Sequence, residues 1–172
     1  AVDIGASKIK AMVLDITGEK PKLVAAGITP TPANALKNNQ VANASALGAA
    51  IRSLLDSNDI SLSKVVFSIP GPNVFTKRVT TATVPAKELD STIRFEAGNY
   101  IPHNINDVYL DYQVVKSNSN STMEVLLIAV KNDVVDGFVN VMQEAGLTPG
   151  IADVDFFALE NMFAMNYPES LN

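Results

Sequence analysis

The chemistry this sequence can offer is concentrated near its start. Asp3-Ile4-Gly5-Ala6-Ser7-Lys8 sets an acid at the end of an apolar strand, then small residues, then a base. A turn that holds phosphate needs backbone N–H groups facing the anion, and small side chains that let it come close. Gly5 offers unusual backbone angles and close approach. Ala6 and Ser7 offer amides, and the Ser7 hydroxyl adds a donor. Lys8 either adds positive charge or points to solvent. Asp3 repels a bare phosphate. A divalent cation removes that objection, because a carboxylate beside a phosphate cradle holds Mg²⁺ through its waters. The same residues also read as a plain hairpin in which Asp3 caps its own turn.

Other chemistries are sparse. The 172 residues contain no Cys, which excludes disulfides, zinc–thiolate sites and thiol catalysis. The one histidine, His103, sits in Ile101-Pro102-His103-Asn104, which reads as a solvated loop rather than a base or metal ligand. The fingerprint G-x-G-x-x-G and the P-loop G-x-x-x-x-G-K-[ST] are both absent. A net charge of -5 argues against nucleic acid as a partner, since that partner needs a basic footprint. No stretch approaches the roughly 18 apolar residues of a membrane span, and no signal peptide is visible, so no direct membrane insertion is expected.

Hydrophobic periodicity supplies the elements that must position the turn. Val2-Ile4, Lys8 to Asp15 and Leu23 to Ile28 read as three antiparallel strands, a meander. Thr29 to Asn43, rich in Pro, Ala and Asn, reads as a loop. Ser45 to Ser57 reads as a helix, with Leu47, Ile51, Leu54 and Leu55 on one face and Asn43 or Ser45 as its cap. Lys64 to Ile69 reads as a strand stopped by Pro70-Gly71-Pro72. A strand after a helix suggests a parallel crossover onto the meander.

The pattern then changes. Val74 to Val84 reads as a Thr-rich strand and Ala86 to Ile101 as a helix. Asp107 to Lys116 alternates, Ser117 to Ser121 reads as a hairpin tip, and Met123 to Val130 reads as a central strand. Asn132 caps a further helix that Gly146 ends. Thr148 to Val154 is a strand, and Asp155 to Asn166 a last helix that Asp155 can cap. The fold class is α/β with an α+β insertion. The expected division is a core of residues 1–70 plus 147–172 and an inserted block of residues 71–146.

DIGASKIKAMVLD is similar to the first phosphate motif of the actin, Hsp70 and sugar-kinase superfamily. VVFSIPGPNVFTKRV, IRFEAGNYIPHNINDVYLDYQVV and MEVLLIAVKNDVVDGFVNVMQEAGLTPGIADVDFFAL resemble, in order, segments of the PilM family of type IV pilus assembly proteins. The resemblance implies an actin-like, ribonuclease H-like core with a strand-helix-strand-strand (SHS2-like) insertion. It implies that Asp3 coordinates Mg²⁺ through water. Gly5, Ala6 and Ser7 would meet the β- and γ-phosphates of ATP, with Lys8 following as a frequent base. Asp155 falls where the superfamily often has an acid near the metal, although Asp155-Phe156 stands where relatives have Glu-Pro. The second phosphate motif and the adenosine motif do not appear, so tight ATP binding and catalysis by this chain alone are not expected.

As to function, the resemblance implies a cytoplasmic scaffold, peripheral to the inner membrane through its partners. It would bind the N-terminal cytoplasmic segment of PilN in a groove between core and insertion. Pro70, Gly71, Phe95, Tyr100, Ile101 and Pro102 are candidate contacts. Alternatively, Phe95 and Ile101 are plain core, and Pro70 and Pro102 only end secondary structure. Self-association is open. The competing expectations are an ATPase switch, and an FtsA-like division or GspL-like type II secretion component.

Overall fold

The computed structural model describes residues 1–118 and 121–171. The chain divides into two units, Ala1–Pro72 with Asp136–Asn172, and Asn73–Val135.

The first unit is built on the expected meander. β1 (Val2–Ile4), β2 (Lys8–Asp15) and β3 (Lys22–Pro30) pair antiparallel in sequence order. A short hairpin of β4 (Leu36–Lys37) and β5 (Gln40–Val41) follows, inside the segment expected to be a plain loop. Its turn residues Asn38 and Asn39 both have positive φ, 51° and 59°. Asn tolerates that region better than most residues, and a two-residue hairpin turn requires it. Pairing there comes from turn chemistry, which hydrophobic period does not reveal.

Helix α1 (Ala44–Asp56) begins where Asn43 caps it, its side chain accepting from the Ala46 N–H at 3.0 Å. β6 (Lys64–Ile69) then returns parallel to β1, which is the crossover expected from a strand–helix–strand order.

The second unit holds the strand-helix-strand-strand order. It consists of β7 (Val74–Ala82), α2 (Ala86–Ala97), β8 (Val108–Asn118) and β9 (Thr122–Lys131). β9 is central, with β7 and β8 antiparallel on either side. Its residues Met123, Val125, Leu127 and Ala129 are buried with Ile93 and Ala97 of α2. The expected hairpin tip falls partly outside the described residues, at 119 and 120. α2 stops at Ala97, four residues short of expectation, and its chain leaves through turns in which the Tyr100 and Ile101 N–H groups both return to the Ala97 carbonyl. Gly98 follows as the C-cap residue with right-handed angles, φ -58° and ψ -23°.

The chain rejoins the first unit along α3 (Asn132–Glu144). Asn132, expected as its cap, lies inside the helix and donates to the Asn106 carbonyl at 3.1 Å. Gly146, with φ 77°, closes the helix as expected, and the Leu147 N–H reaches the Met142 carbonyl at 2.9 Å. β10 (Thr148–Val154) pairs parallel with β6, and α4 (Asp155–Asn166) follows. The five-stranded sheet runs β10-β6-β1-β2-β3.

The boundary of the inserted block differs from the expected 71–146. It ends at Val135, inside α3, because the rest of that helix packs into the first unit. Phe138, Val141 and Met142 are fully buried. A Cβ on Gly48 of α1 would meet Glu144 Cβ at 2.6 Å, so only glycine lets the two helices approach this closely. The Arg52 guanidinium donates to the Glu144 carbonyl, tying the same helix ends.

Candidate functional site: the carboxyl edge of the sheet

Three parallel strands end along one edge of the first unit's sheet, and the candidate residues sit there. In β1, Val2 and Ile4 are buried, so the alternation of a strand turns Asp3 to the opposite face. Its two oxygens have different partners. The Ser68 hydroxyl of β6 donates to Asp3 Oδ1 at 2.8 Å, and the Lys10 ammonium of β2 donates to Oδ2 at 2.7 Å. Asp3 therefore does not cap its own turn. It joins three strands.

The connection from β1 to β2 is the turn Gly5-Ala6-Ser7. Gly5 does not use positive φ, so that part of the expectation is corrected. Its value is close approach: the Gly5 N–H donates to the Lys8 carbonyl at 3.0 Å, and a Cβ there would stand 3.1 Å from that oxygen. Thr31 clamps the outer side of the turn. Its hydroxyl donates to the Gly5 carbonyl at 2.6 Å and its N–H to the Ser7 carbonyl at 3.0 Å. With those carbonyls held back, Ala6 and Ser7 stay exposed, and among the described residues their N–H groups have no partner. Lys8 is exposed beside them.

This donor set of amides, a hydroxyl and an ammonium suits an anion. For a cation the fit is narrower. No group of three or more His, Cys, Asp or Glu gathers among the described residues. A divalent ion would meet Asp3 and water, in the manner of Mg²⁺.

The helix cap expected of Asp155 is not made. Val154, not Asp155, occupies the cap position of α4, and no side chain caps that helix. Asp155 Oδ1 instead accepts from the Gly71 N–H at 3.0 Å, half-buried. The ring of Phe156 closes over the same place, 2.8 Å from where a Gly71 Cβ would stand. Asp155 thus pins the Pro70-Gly71 turn, and Gly71 is there because nothing larger fits. Asp155→Ala is expected to cost about 1–2 kcal/mol of stability, the worth of a half-exposed charged hydrogen bond. Asp155→Asn recovers most of it. Urea unfolding with and without Mg²⁺ checks this, and equal losses in both are expected because the bond is internal to the chain.

The candidate partner residues separate as well. Pro70 and Gly71 belong to the first unit and are half-buried. The other four belong to the second. Ile101 is buried in that unit's core, so it cannot meet a partner. Phe95 is the reverse. It is 82% exposed, on the side of α2 away from buried Ile93 and Ala97. Tyr100 is half-buried, with the Lys77 ammonium 5.0 Å from its ring centre, and Pro102 is exposed.

Three further residues shape the β1–β2 turn: Lys10, Ser68 and Thr31. Two carried a signal. Lys10 interrupts an apolar strand on the same face as Lys8, and Ser68 is the polar residue in Val65-Val66-Phe67-Ser68-Ile69. Thr31 carried none, being one of several polar residues in an irregular stretch.

A family model described as type IV pilus assembly protein PilM matches residues 1–171. This chain belongs to the PilM family. Among solved structures it is similar to a PilM–PilN type IV pilus biogenesis complex, at 30% identity and a TM-score of 0.84. That match covers 95% of this chain and 50% of the other, so the PilM-family chain described here spans about half the length of that relative. It also resembles the cytoplasmic domain of EpsL, an inner membrane component of the type II secretion system of Vibrio cholerae. The TM-score there is 0.58 at 16% identity, over 91% of this chain and 57% of that one, a likeness of fold. The mixed α/β, actin-like architecture expected from the sequence is the one found. No helix among the described residues is long and apolar enough to cross a membrane.

Proposed function

We propose that this chain is the partner-binding half of a PilM-family scaffold in type IV pilus assembly, and that its partner is the N-terminal cytoplasmic segment of PilN. The observation that carries this reading is the match to a PilM–PilN complex over 95% of the chain at 30% identity. A short segment is held by apolar anchors and backbone pairing. Phe95 is the exposed aromatic side chain best suited to anchor one. On this reading the protein works on the cytoplasmic side of the inner membrane and is held there by its partner.

Nucleotide binding belongs, in this proposal, to the longer family protein. There the Ala6 and Ser7 amides, the Ser7 hydroxyl and Lys8 would meet phosphate oxygens of ATP, and Asp3 would hold hydrated Mg²⁺. The ion would neutralise phosphate charge that Asp3 otherwise repels. The alternative roles in cell division or type II secretion have less support, since the EpsL likeness is at 16% identity.

Affinity capture on an immobilised PilN cytoplasmic segment tests the proposal. The chain is expected to be retained by that segment and not by a scrambled one, while Mg-ATP binds weakly or not at all. ATP turnover without peptide retention would contradict it.

A further inference from the structure

Four strands have an open edge in the two larger sheets: β10 and β3 in the first unit, β7 and β8 in the second. An open edge presents unpaired N–H and C=O groups to any strand that meets it, and proteins blunt such edges with charge, proline or a bulge. Three of these edges are blunted along their length. β10 carries Pro149, a register shift before Ile151, and Asp153. β7 carries Lys77 and Arg78 within the strand. β8 carries Asp111, whose carboxylate accepts the Tyr112 N–H at 2.8 Å, and a register shift before Lys116.

β3 is the exception. Leu23-Val24-Ala25-Ala26-Gly27-Ile28-Thr29 holds no charge and no proline, and Lys22 and Pro30 stand only at the two ends. Its one irregularity is Val24, which the register skips near the start of the strand. Leu23, Val24 and Ile28 are each 63% exposed. The backbone is as open as the side chains. The Thr31 N–H donates to the Ser7 carbonyl. An antiparallel ladder alternates, so Thr29 and Gly27 also turn their polar groups to β2, and Ile28 and Ala26 turn theirs outward.

We propose that this edge pairs with β3 of a second copy of the chain, antiparallel about a two-fold axis at Ala26, making one continuous sheet from two. The strand's own composition selects that occupant. A matching strand has to be apolar and uncharged along the ladder, and among the open edges of the described residues only β3 is. The register is self-complementary, as a two-fold interface requires. With Ala26 opposite itself, Val24 of each copy faces Ile28 of the other, so large exposed side chains meet on either side of a small one. Lys22, already opposite Asp15 of β2, meets Pro30 and no second charge. Pairing of one short strand buries less than the ~1,200–2,000 Å² of a stable interface, so the dimer is weak and forms as concentration rises. PilN binding is not required for it, so either reading can fail alone.

Sedimentation velocity over rising concentrations of this chain tests the pairing. The mean mass is expected to climb toward that of a dimer and stop there. Ile28→Lys sets a charge within the ladder at a position already exposed, and is expected to weaken association about tenfold or more while thermal unfolding stays unchanged. A second variant covers poor folding of the first. The chain has no cysteine, so Ala26→Cys places a single thiol at the axis. It should oxidise to a cross-linked dimer about tenfold or more faster than Leu62→Cys, an exposed control outside the strand. A chain that stays monomeric at every concentration would overturn the proposal. So would a dimer that Ile28→Lys leaves at full strength, or equal cross-linking of the two thiols. Capture of an extended peptide along β3 without dimer formation would also overturn it, making a foreign strand the occupant.

Discussion

Phe138→Ala is expected to lower the unfolding free energy of the first unit by about 3–5 kcal/mol, the range for emptying a fully buried aromatic site. Phe138 has no exposed surface, and its neighbours Val141 and Met142 on α3 have none either. The cavity has little chance to collapse. α3 is held at its far end by the close approach of Gly48 to Glu144 and by the bond from Arg52 to the Glu144 carbonyl. A domain has only about 5–15 kcal/mol of stability in all, so this loss brings the unit near its limit. The location of the damage is as informative as its size. Because α3 from Asp136 onward belongs to the first unit, amide exchange should accelerate in β1, β6 and β10. The β7–β9 sheet should keep its protection. Acceleration confined to β7–β9 would return α3 to the inserted block and restore the boundary at 146.

Phe95→Ala is expected to do the opposite: no damage to the fold and a large loss of binding. At 82% exposure the ring contributes little to packing, and its removal should change stability by no more than about 0.5 kcal/mol. A buried aromatic anchor at an interface is worth about 2–4 kcal/mol, so affinity for the PilN segment should fall by roughly 30-fold or more. Ile93→Ala, on the buried side of the same helix, is the paired control. It should destabilise the second unit by about 2–4 kcal/mol. Binding measured beside thermal unfolding separates the two effects. Unchanged affinity in Phe95→Ala would remove this side chain from the interface.

Particular residues show how much was legible beforehand. The meander, α1, β6 and the β9-centred unit follow from period and turn residues alone, and Asn43 and Gly146 punctuate their helices where expected. The carboxyl-edge turn was legible as a candidate because Asp3, Gly5, Ala6, Ser7 and Lys8 are contiguous. What lay beyond reach depends on long-range contact. Asp3 finds Ser68 across 65 positions, and Asp155 finds Gly71 across 84. A local reading gives Asp155 a cap to make, since a cap is the nearest use for an acid at a helix start. Phe95 and Ile101 are equally hydrophobic as letters. Only the end of α2 at Ala97, and the face it buries, sends one into solvent and the other into the core.

On the proposed function, this PilM-family chain itself holds the PilN segment. Isothermal titration of the folded chain with the N-terminal cytoplasmic PilN segment tests it most directly. A saturable one-to-one isotherm is predicted, weakened by Phe95→Ala and indifferent to Mg-ATP. A flat titration, under conditions where a longer PilM protein binds the same segment, would contradict the claim and place the partner site outside these residues.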